Sequence, residues 1–422
     1  MGRRRTPPKP AAVPTQTQAA RPPAAYAPVL NAGLQGLTSR VQEMHQAISG
    51  QAFDQLLRVP GLSAPTRLVQ GLHDAISQGV YAAVRHGGGA ALTLAGQVER
   101  LTSGPERVPG AREQAARSAV NGVFGDSLRE AGSAIAIQMG LHADGKPLTI
   151  TRLALQGLRP RVCVFIHGLA CDEGSWALRN DAWQTSPWAD LLHAGEPIQY
   201  GALLAKEYGV SAIYLRYNTG LSFEHNAAQL SALLQQAADA APQVRDWTLI
   251  GHSMGGLVAR RAHAIATEND AIWARTALMI VCLGSPHLGA PLEQAGQMLS
   301  TALNAMQVTR PLARIAEARS RGIKDLRHGL ARSALSSPAL RLVFGTLGDD
   351  EEAGLGSLIG KLVGDGLVMP ASAADAGLDG DVERVELAGL GHMSLLNHPR
   401  VYAVLRGWLG APANVSPAAP RG

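Results

Sequence analysis

The chain has 422 residues, 46% of them hydrophobic and 17% charged, a balance that fits a core-forming globular protein and excludes a wholly disordered one. Its net charge of +5 is accounted for by Arg3, Arg4, Arg5, Lys9 and Arg21; the rest of the chain balances 33 basic against 33 acidic residues, so no basic face for nucleic acid is expected on the folded part. Nowhere do about 18 apolar residues run together, which excludes a membrane-spanning helix.

Residues 1–28 are rich in Pro, Ala, Gln and Thr, and Pro7, Pro8, Pro10 and Pro14 interrupt any apolar run behind the arginines. That composition predicts a disordered basic leader rather than a signal peptide, and residues 411–422 read as a similar tail. Cys163, Cys171 and Cys282 are too few and too odd in number for a disulfide framework and are expected to be reduced, structural thiols. Five lysines against 33 arginines fit a high-GC bacterial genome, and a cytoplasmic location is expected.

Residues 29–145 are expected to be helical. Leu34, Leu37, Val41, Met44 and Ile48 fall on one helix face, and Leu68, Leu72, Ile76 and Val80 on another; the Gly87-Gly88-Gly89 run and Gly104-Pro105 break the pattern. Packing against the rest of the chain explains these faces, and a membrane-surface or partner-binding role is the alternative. The glycine run is not a phosphate loop, because no Gly-Lys-Ser/Thr follows it.

Beyond residue 146 short apolar runs alternate with helical stretches. The runs are 162–166, 212–215, 248–250, 278–282, 342–344 and 382–387, with helices expected over 226–240, 255–267 and 398–409. This alternation predicts an α/β fold with a mostly parallel, doubly wound sheet over 146–410. Residues 291–335 hold no strand signal. Leu299, Leu303, Met306, Leu312 and Ile315 give them an apolar helix face, suited equally to a lid over the site and to packing on the sheet.

Gly251-His252-Ser253-Met254-Gly255 lies between an expected strand and an expected helix. A serine on so sharp a turn needs small neighbours, and the helix that follows brings its positive end to developing negative charge. His167-Gly168-Leu169 follows the first core strand, so the N–H groups of Leu169 and Met254 are the candidate oxyanion donors. His392, between the last strand and the last helix, is the candidate base; His398, at a helix start, reads as structural. The acid is Asp365, in Gly364-Asp365-Gly366-Leu367-Val368, or its rivals Asp349 and Asp350, among which spacing alone does not choose. His287 is read as support for the site. No metal-ligand spacing occurs, so neither metal nor cofactor is expected.

His167-Gly168-Leu169-Ala170, Gly251-His252-Ser253-Met254-Gly255-Gly256 and Gly284-Ser285-Pro286-His287-Leu288-Gly289-Ala290-Pro291 resemble serine lipases and esterases of the α/β-hydrolase superfamily. Asp365-Gly366-Leu367-Val368 resembles the acid-bearing segment of bacterial lipases, which implies Asp365 over its rivals. Three outer strings are similar to a bacterial group related to deacylases of GPI-anchor inositol: 121–126, 217–220 and 322–329. The resemblance covers about residues 115–410. One departure is Cys171-Asp172-Glu173, which stands where many lipases have a small residue. What the resemblance implies is a carboxylic-ester hydrolase with a Ser253, Asp365, His392 triad; a lipid-like ester is one reading of the 291–335 face. The alternatives are acyl transfer, amide or thioester hydrolysis on the same site, and a scaffold whose helices dock a partner. A peripheral membrane contact through the basic leader is also open, and the oligomeric state is not legible.

Overall fold

The computed structural model describes residues 110–130, 132–191, 198–289, 338–347, 365 and 367–410, with the single positions 57, 66, 67, 70, 74, 78, 301, 321 and 325. The chain divides into two compact units, Met1–Val108 with Ser133–Ile135, and Pro109–Gly132 with Ala136–Gly422. In the first unit Leu57, Thr66, Arg67, Gln70, Asp74 and Gln78 are helical. The leader, the tail, both apolar stripes of 34–80 and the apolar face expected over 291–335 lie outside the described residues.

The second unit opens with helix α1 (Ala111–Glu130), a hairpin of strands β1 (Gly140–Ala143) and β2 (Lys146–Pro147), and the short α2 (Arg152–Leu155). Then follow β3 (Arg161–Ile166), α3 (Tyr200–Tyr208), β4 (Ser211–Arg216), α4 (Phe223–Ala240), β5 (Asp246–His252) and α5 (Met254–Glu268). After α6 (Ile272–Arg275) come β6 (Ala277–Leu283), β7 (Ala339–Thr346), α7 (Pro370–Ala374), β8 (Val382–Ala388) and α8 (Pro399–Gly410).

The eight strands form one sheet in the order β2-β1-β4-β3-β5-β6-β7-β8. β1 runs antiparallel to β2 and β4, and every pairing from β4 to β8 is parallel. Parallel strands are buried on both faces, which is why β3 reads as the unbroken run Val162-Cys163-Val164-Phe165-Ile166. Alternate side chains serve opposite layers. Val162, Val164 and Ile166 join Leu230 and Leu234 of α4 and Leu257 of α5, whereas Cys163 and Phe165 join Leu203 of α3 and Tyr402 and Leu405 of α8. The six expected core strands are all present.

The unit that holds the sheet includes α1 and β1. Within the stretch expected to be helical, Gly140–Ala143 is a strand, paired with β4 on one side and β2 on the other. The turn between β1 and β2 is Asp144-Gly145, both at positive φ (50° and 71°), the pairing that two-residue hairpins favour.

The parallel register places the ends that matter together. Ile166 lies beside Gly251, His252 beside Leu283, and Leu283 beside Val343, so the loops after β3, β5 and β6 leave one end of the sheet.

Candidate active site

Ser253 is the single residue between β5 and α5, held at φ 53° and ψ −124°. A side-chain-bearing residue in that region costs about 1–3 kcal/mol, so its surroundings must fix it. Its N–H donates to Leu283 O at 2.8 Å, and its own oxygen accepts from Gly256 N at 3.1 Å. The glycines on either side answer to space. A Cβ on Gly251 would collide with Gly256 N, and one on Gly255 with Ile166 O, so the helix start crosses β3 and β5 at backbone contact distance. Ser253 itself is buried.

His392 and Asp365 meet beside it. His392 Nδ1 lies 2.7 Å from Asp365 Oδ2, and both residues are buried. The other carboxylate oxygen, Oδ1, accepts from Leu367 N at 3.0 Å and Val368 N at 2.7 Å, while Asp365 O accepts from His392 N at 3.0 Å. A carboxylate so supplied with backbone donors is fixed in orientation and has only Oδ2 left to receive the imidazole Nδ1–H.

The loop after β3 forms the facing wall. Cys171 N donates to Gly168 O at 3.3 Å, closing a turn in which Ala170 takes φ 60° and donates to Thr219 Oγ1 at 3.0 Å. Among the described residues, no acceptor meets the N–H of Leu169 or of Met254. Gly168, Leu169, Cys171, His252, Ser253, His392 and Met393 line one small pocket. His167 Nδ1 donates to Gly168 O at 3.0 Å, and burial lowers its pKa to about 4, so this imidazole is neutral. Burial pushes the Cys171 thiol up to about 12, which leaves it protonated and without nucleophilic character. Asp172, next in the chain, is pushed up to about 7 by burial and by the neighbouring Glu173 charge.

His252, which the sequence reading does not single out, lies against both the His392 loop and the turn after β3. Its Nε2 lies 3.0 Å from His392 O; a carbonyl only accepts, so Nε2 carries the hydrogen. Its buried Nδ1 has no partner among the described residues and faces Gly168, 3.2 Å from where a Cβ would stand there. Burial first, then the nearby His392, holds its pKa well below the ordinary histidine value. Its place before Ser253 was the available signal.

The other candidates separate. His287 is buried against Arg260, 2.7 Å from Nη1, and makes no hydrogen bond to His392. His398 Nδ1 accepts from Arg400 N at 3.1 Å at the start of α8. Asp349 and Asp350 lie outside the described residues. An open depression lined by Arg152, Gln156, Pro242 and Gln243 sits at the opposite, amino ends of β3 and β5, away from any nucleophile. Among the described residues no three His, Cys, Asp or Glu side chains gather as a metal site, and no helix is long and apolar enough to cross a membrane.

An oriented imidazole, a hydroxyl on a forced turn and two free N–H groups are the parts that acyl transfer to serine uses. No curated protein matches this sequence. Among solved structures, the chain is similar to Bacillus licheniformis lipase BlEst2 in its mature form, at 16% identity over 64% of this chain and 98% of that one, with a TM-score of 0.37. It is also similar to the RedJ thioesterase of the prodiginine pathway in Streptomyces coelicolor (13% identity, 58% and 85% covered, TM-score 0.34). A third is an alpha/beta hydrolase fold protein from Chitinophaga pinensis (11% identity, 61% and 92% covered, TM-score 0.37). The strand order, the parallel register and the sharp turn after β5 give the chain the α/β-hydrolase fold, and its residues 220–327 match the family model of the PGAP1-like alpha/beta domain.

Proposed function

We propose that the protein hydrolyses carboxylic esters through an acyl-enzyme on Ser253. His392 takes the proton of the Ser253 hydroxyl as its oxygen attacks the ester carbonyl, and Asp365 holds the imidazole and stabilises its charged form. The N–H groups of Leu169 and Met254 receive the oxyanion. The imidazolium protonates the departing alcohol; the same imidazole then deprotonates a water, which releases the acid and restores Ser253. No cofactor enters this scheme.

The observation that carries the reading is the buried 2.7 Å contact between His392 Nδ1 and Asp365 Oδ2, on the pocket that Ser253 lines. An orienting carboxylate behind an imidazole serves little purpose in a protein that only binds. For the substrate, exposed Leu288, Leu347 and Met369 flank this end of the sheet and suit an apolar, lipid-like acyl group.

The test is turnover of p-nitrophenyl esters of increasing acyl length, with fluorophosphonate labelling of Ser253. The parent is expected to hydrolyse and to label, and Ser253→Ala to lose about 10³-fold or more in kcat. A Ser253→Ala variant that matches the parent removes the assignment, and cleavage of acetyl esters alone removes the lipid-like acyl group.

A further inference from the structure

Three segments that the proposed chemistry does not use meet behind the turn that follows β3. The first is Asn121–Asp126 of α1. Gly122 faces Ala170 so closely that a Cβ there would stand 2.8 Å from Ala170 Cβ and 2.9 Å from its Cα. The second is Tyr217–Gly220, after β4. Asn218 Nδ2 donates to Gly125 O at 2.9 Å, Thr219 Oγ1 accepts the Ala170 N–H at 3.0 Å, and a Cβ on Gly220 would collide with Asn121 O. The third holds Arg321 and Asp325. Arg321 N donates to Asp126 Oδ2 at 3.3 Å, and Asp325 Oδ2 accepts from Phe223 N, at the start of α4, at 3.0 Å.

Ala170 needs such a hold. It is an alanine at φ 60°, a left-handed backbone state that persists only where its surroundings impose it. The Thr219 hydroxyl fixes its N–H, and the bare face of α1 at Gly122 fixes its Cα and Cβ. The Leu169–Ala170 peptide is therefore set by contacts with α1 and the loop after β4, and the peptide that carries the Leu169 N–H, in a residue that lines the pocket, is its immediate neighbour in the chain. Donor placement is where a buttress matters: a shift of about 1 Å in such a group costs on the order of 100-fold in rate.

We infer that Gly122 and Thr219 are positioning residues for the Leu169 N–H, with α1 acting as the buttress of the oxyanion turn. This rests on the hydrolase reading given above and assigns α1 a part in it. The Asn218–Gly125 hydrogen bond ties α1 to the β4–α4 loop, Arg321 holds Asp126 of α1, and Asp325 holds the start of α4 at Phe223.

The test uses the full chain. Thr219→Val keeps the shape and removes the acceptor; Thr219→Ser keeps the hydroxyl; Gly122→Ala adds the Cβ. Measured are kcat and KM on p-nitrophenyl butyrate, and hydrogen exchange at the Ala170 amide. Thr219→Val is expected to lower kcat by about 10- to 100-fold with KM within about threefold, because the donor acts on the transition state rather than on bound ester. Thr219→Ser should return kcat to within about threefold of the parent, and Gly122→Ala should follow Thr219→Val. The inference is overturned if Thr219→Val keeps the parent kcat, or if Thr219→Ser is as impaired as Thr219→Val, which would make the side chain mere packing. If the parent turns over no ester beyond the Ser253→Ala rate, the hydrolase reading fails by itself. Exchange then decides the buttress: about tenfold faster at Ala170 in Thr219→Val supports it, and an unchanged rate overturns it.

Discussion

The Nε2–H of His252 donates across 3.0 Å to the main-chain oxygen of His392, tying the residue before the nucleophile to the loop that carries the proposed base. The two rings lie 4.7 Å apart, yet no ring-to-ring hydrogen bond joins them. His252 therefore acts on where His392 stands rather than on its charge. His252→Phe, which keeps an aromatic plate without the donor, is expected to lower kcat on a p-nitrophenyl ester by about tenfold, the scale of one buried hydrogen bond left unmade. Because burial already keeps His252 neutral, the shape of the pH–rate profile should not change. A displaced profile in this variant would give His252 a share in the proton transfer and contradict the positioning role.

Asp365→Asn separates orientation from occupancy. Oδ1 already receives two backbone N–H groups, so the amide oxygen of Asn is drawn to that side and its NH₂ turned toward His392. The imidazole must then accept at Nδ1 and carry its hydrogen on Nε2, the tautomer that cannot take the serine proton. A loss of about 10³- to 10⁴-fold in kcat is expected, with the fold retained by circular dichroism. Asp349→Asn should stay near the parent rate. The reverse result would move the acid to the earlier loop.

The sequence carried the sheet further than it carried the site. The six core strands were legible because a strand covered on both faces must be a short apolar run, and Val162–Ile166 and Leu278–Cys282 are nothing else. The turn that carries Ser253 is legible because a strand-to-helix turn needs glycines at fixed steps. The proposed acid is not legible by pattern, since a loop has no period, and only resemblance favours Asp365 over Asp349 and Asp350. The β1–β2 hairpin was missed although Asp144-Gly145 marks it, because its strands are only four and two residues long. His252 and Thr219 were invisible for another reason: their partners lie 140 and 49 residues away.

Asp172 sets a pH dependence of stability. Its carboxyl caps the turn at 173–177 by accepting from Gly174 N at 2.9 Å, but burial, and then Glu173, raise its pKa to about 7. Below the unfolded carboxyl pKa the folded and unfolded states both hold the proton. Between there and about pH 7 only the folded state does, so stability falls as pH rises through that window. Asp172→Asn keeps a capping oxygen and removes the charge. The variant and parent should melt alike near pH 4, and the variant several degrees higher near pH 8. Parallel melting curves across that range would mean that the charge is relieved in the folded chain.

Gly284 tests how tightly the proposed acid and base are enclosed. It follows β6 at φ +61°, and a Cβ there would stand 2.9 Å from Leu395 Cδ1 and 3.1 Å from both Asp365 Oδ2 and His392 Nδ1. Gly284→Ala therefore meets two costs. The left-handed backbone costs about 1–2 kcal/mol for an alanine, which lowers the melting temperature by a few degrees. The methyl also presses on both atoms of the Asp365–His392 hydrogen bond, which must lengthen or tilt because Leu367 N and Val368 N hold the carboxylate from behind. At a temperature where the variant is fully folded, kcat is expected to fall by about tenfold or more while KM stays within about threefold, since the pair acts on proton transfer and not on ester binding. Melting lowered with kcat intact would show instead that Leu395 yields first and that the hydrogen bond tolerates the methyl.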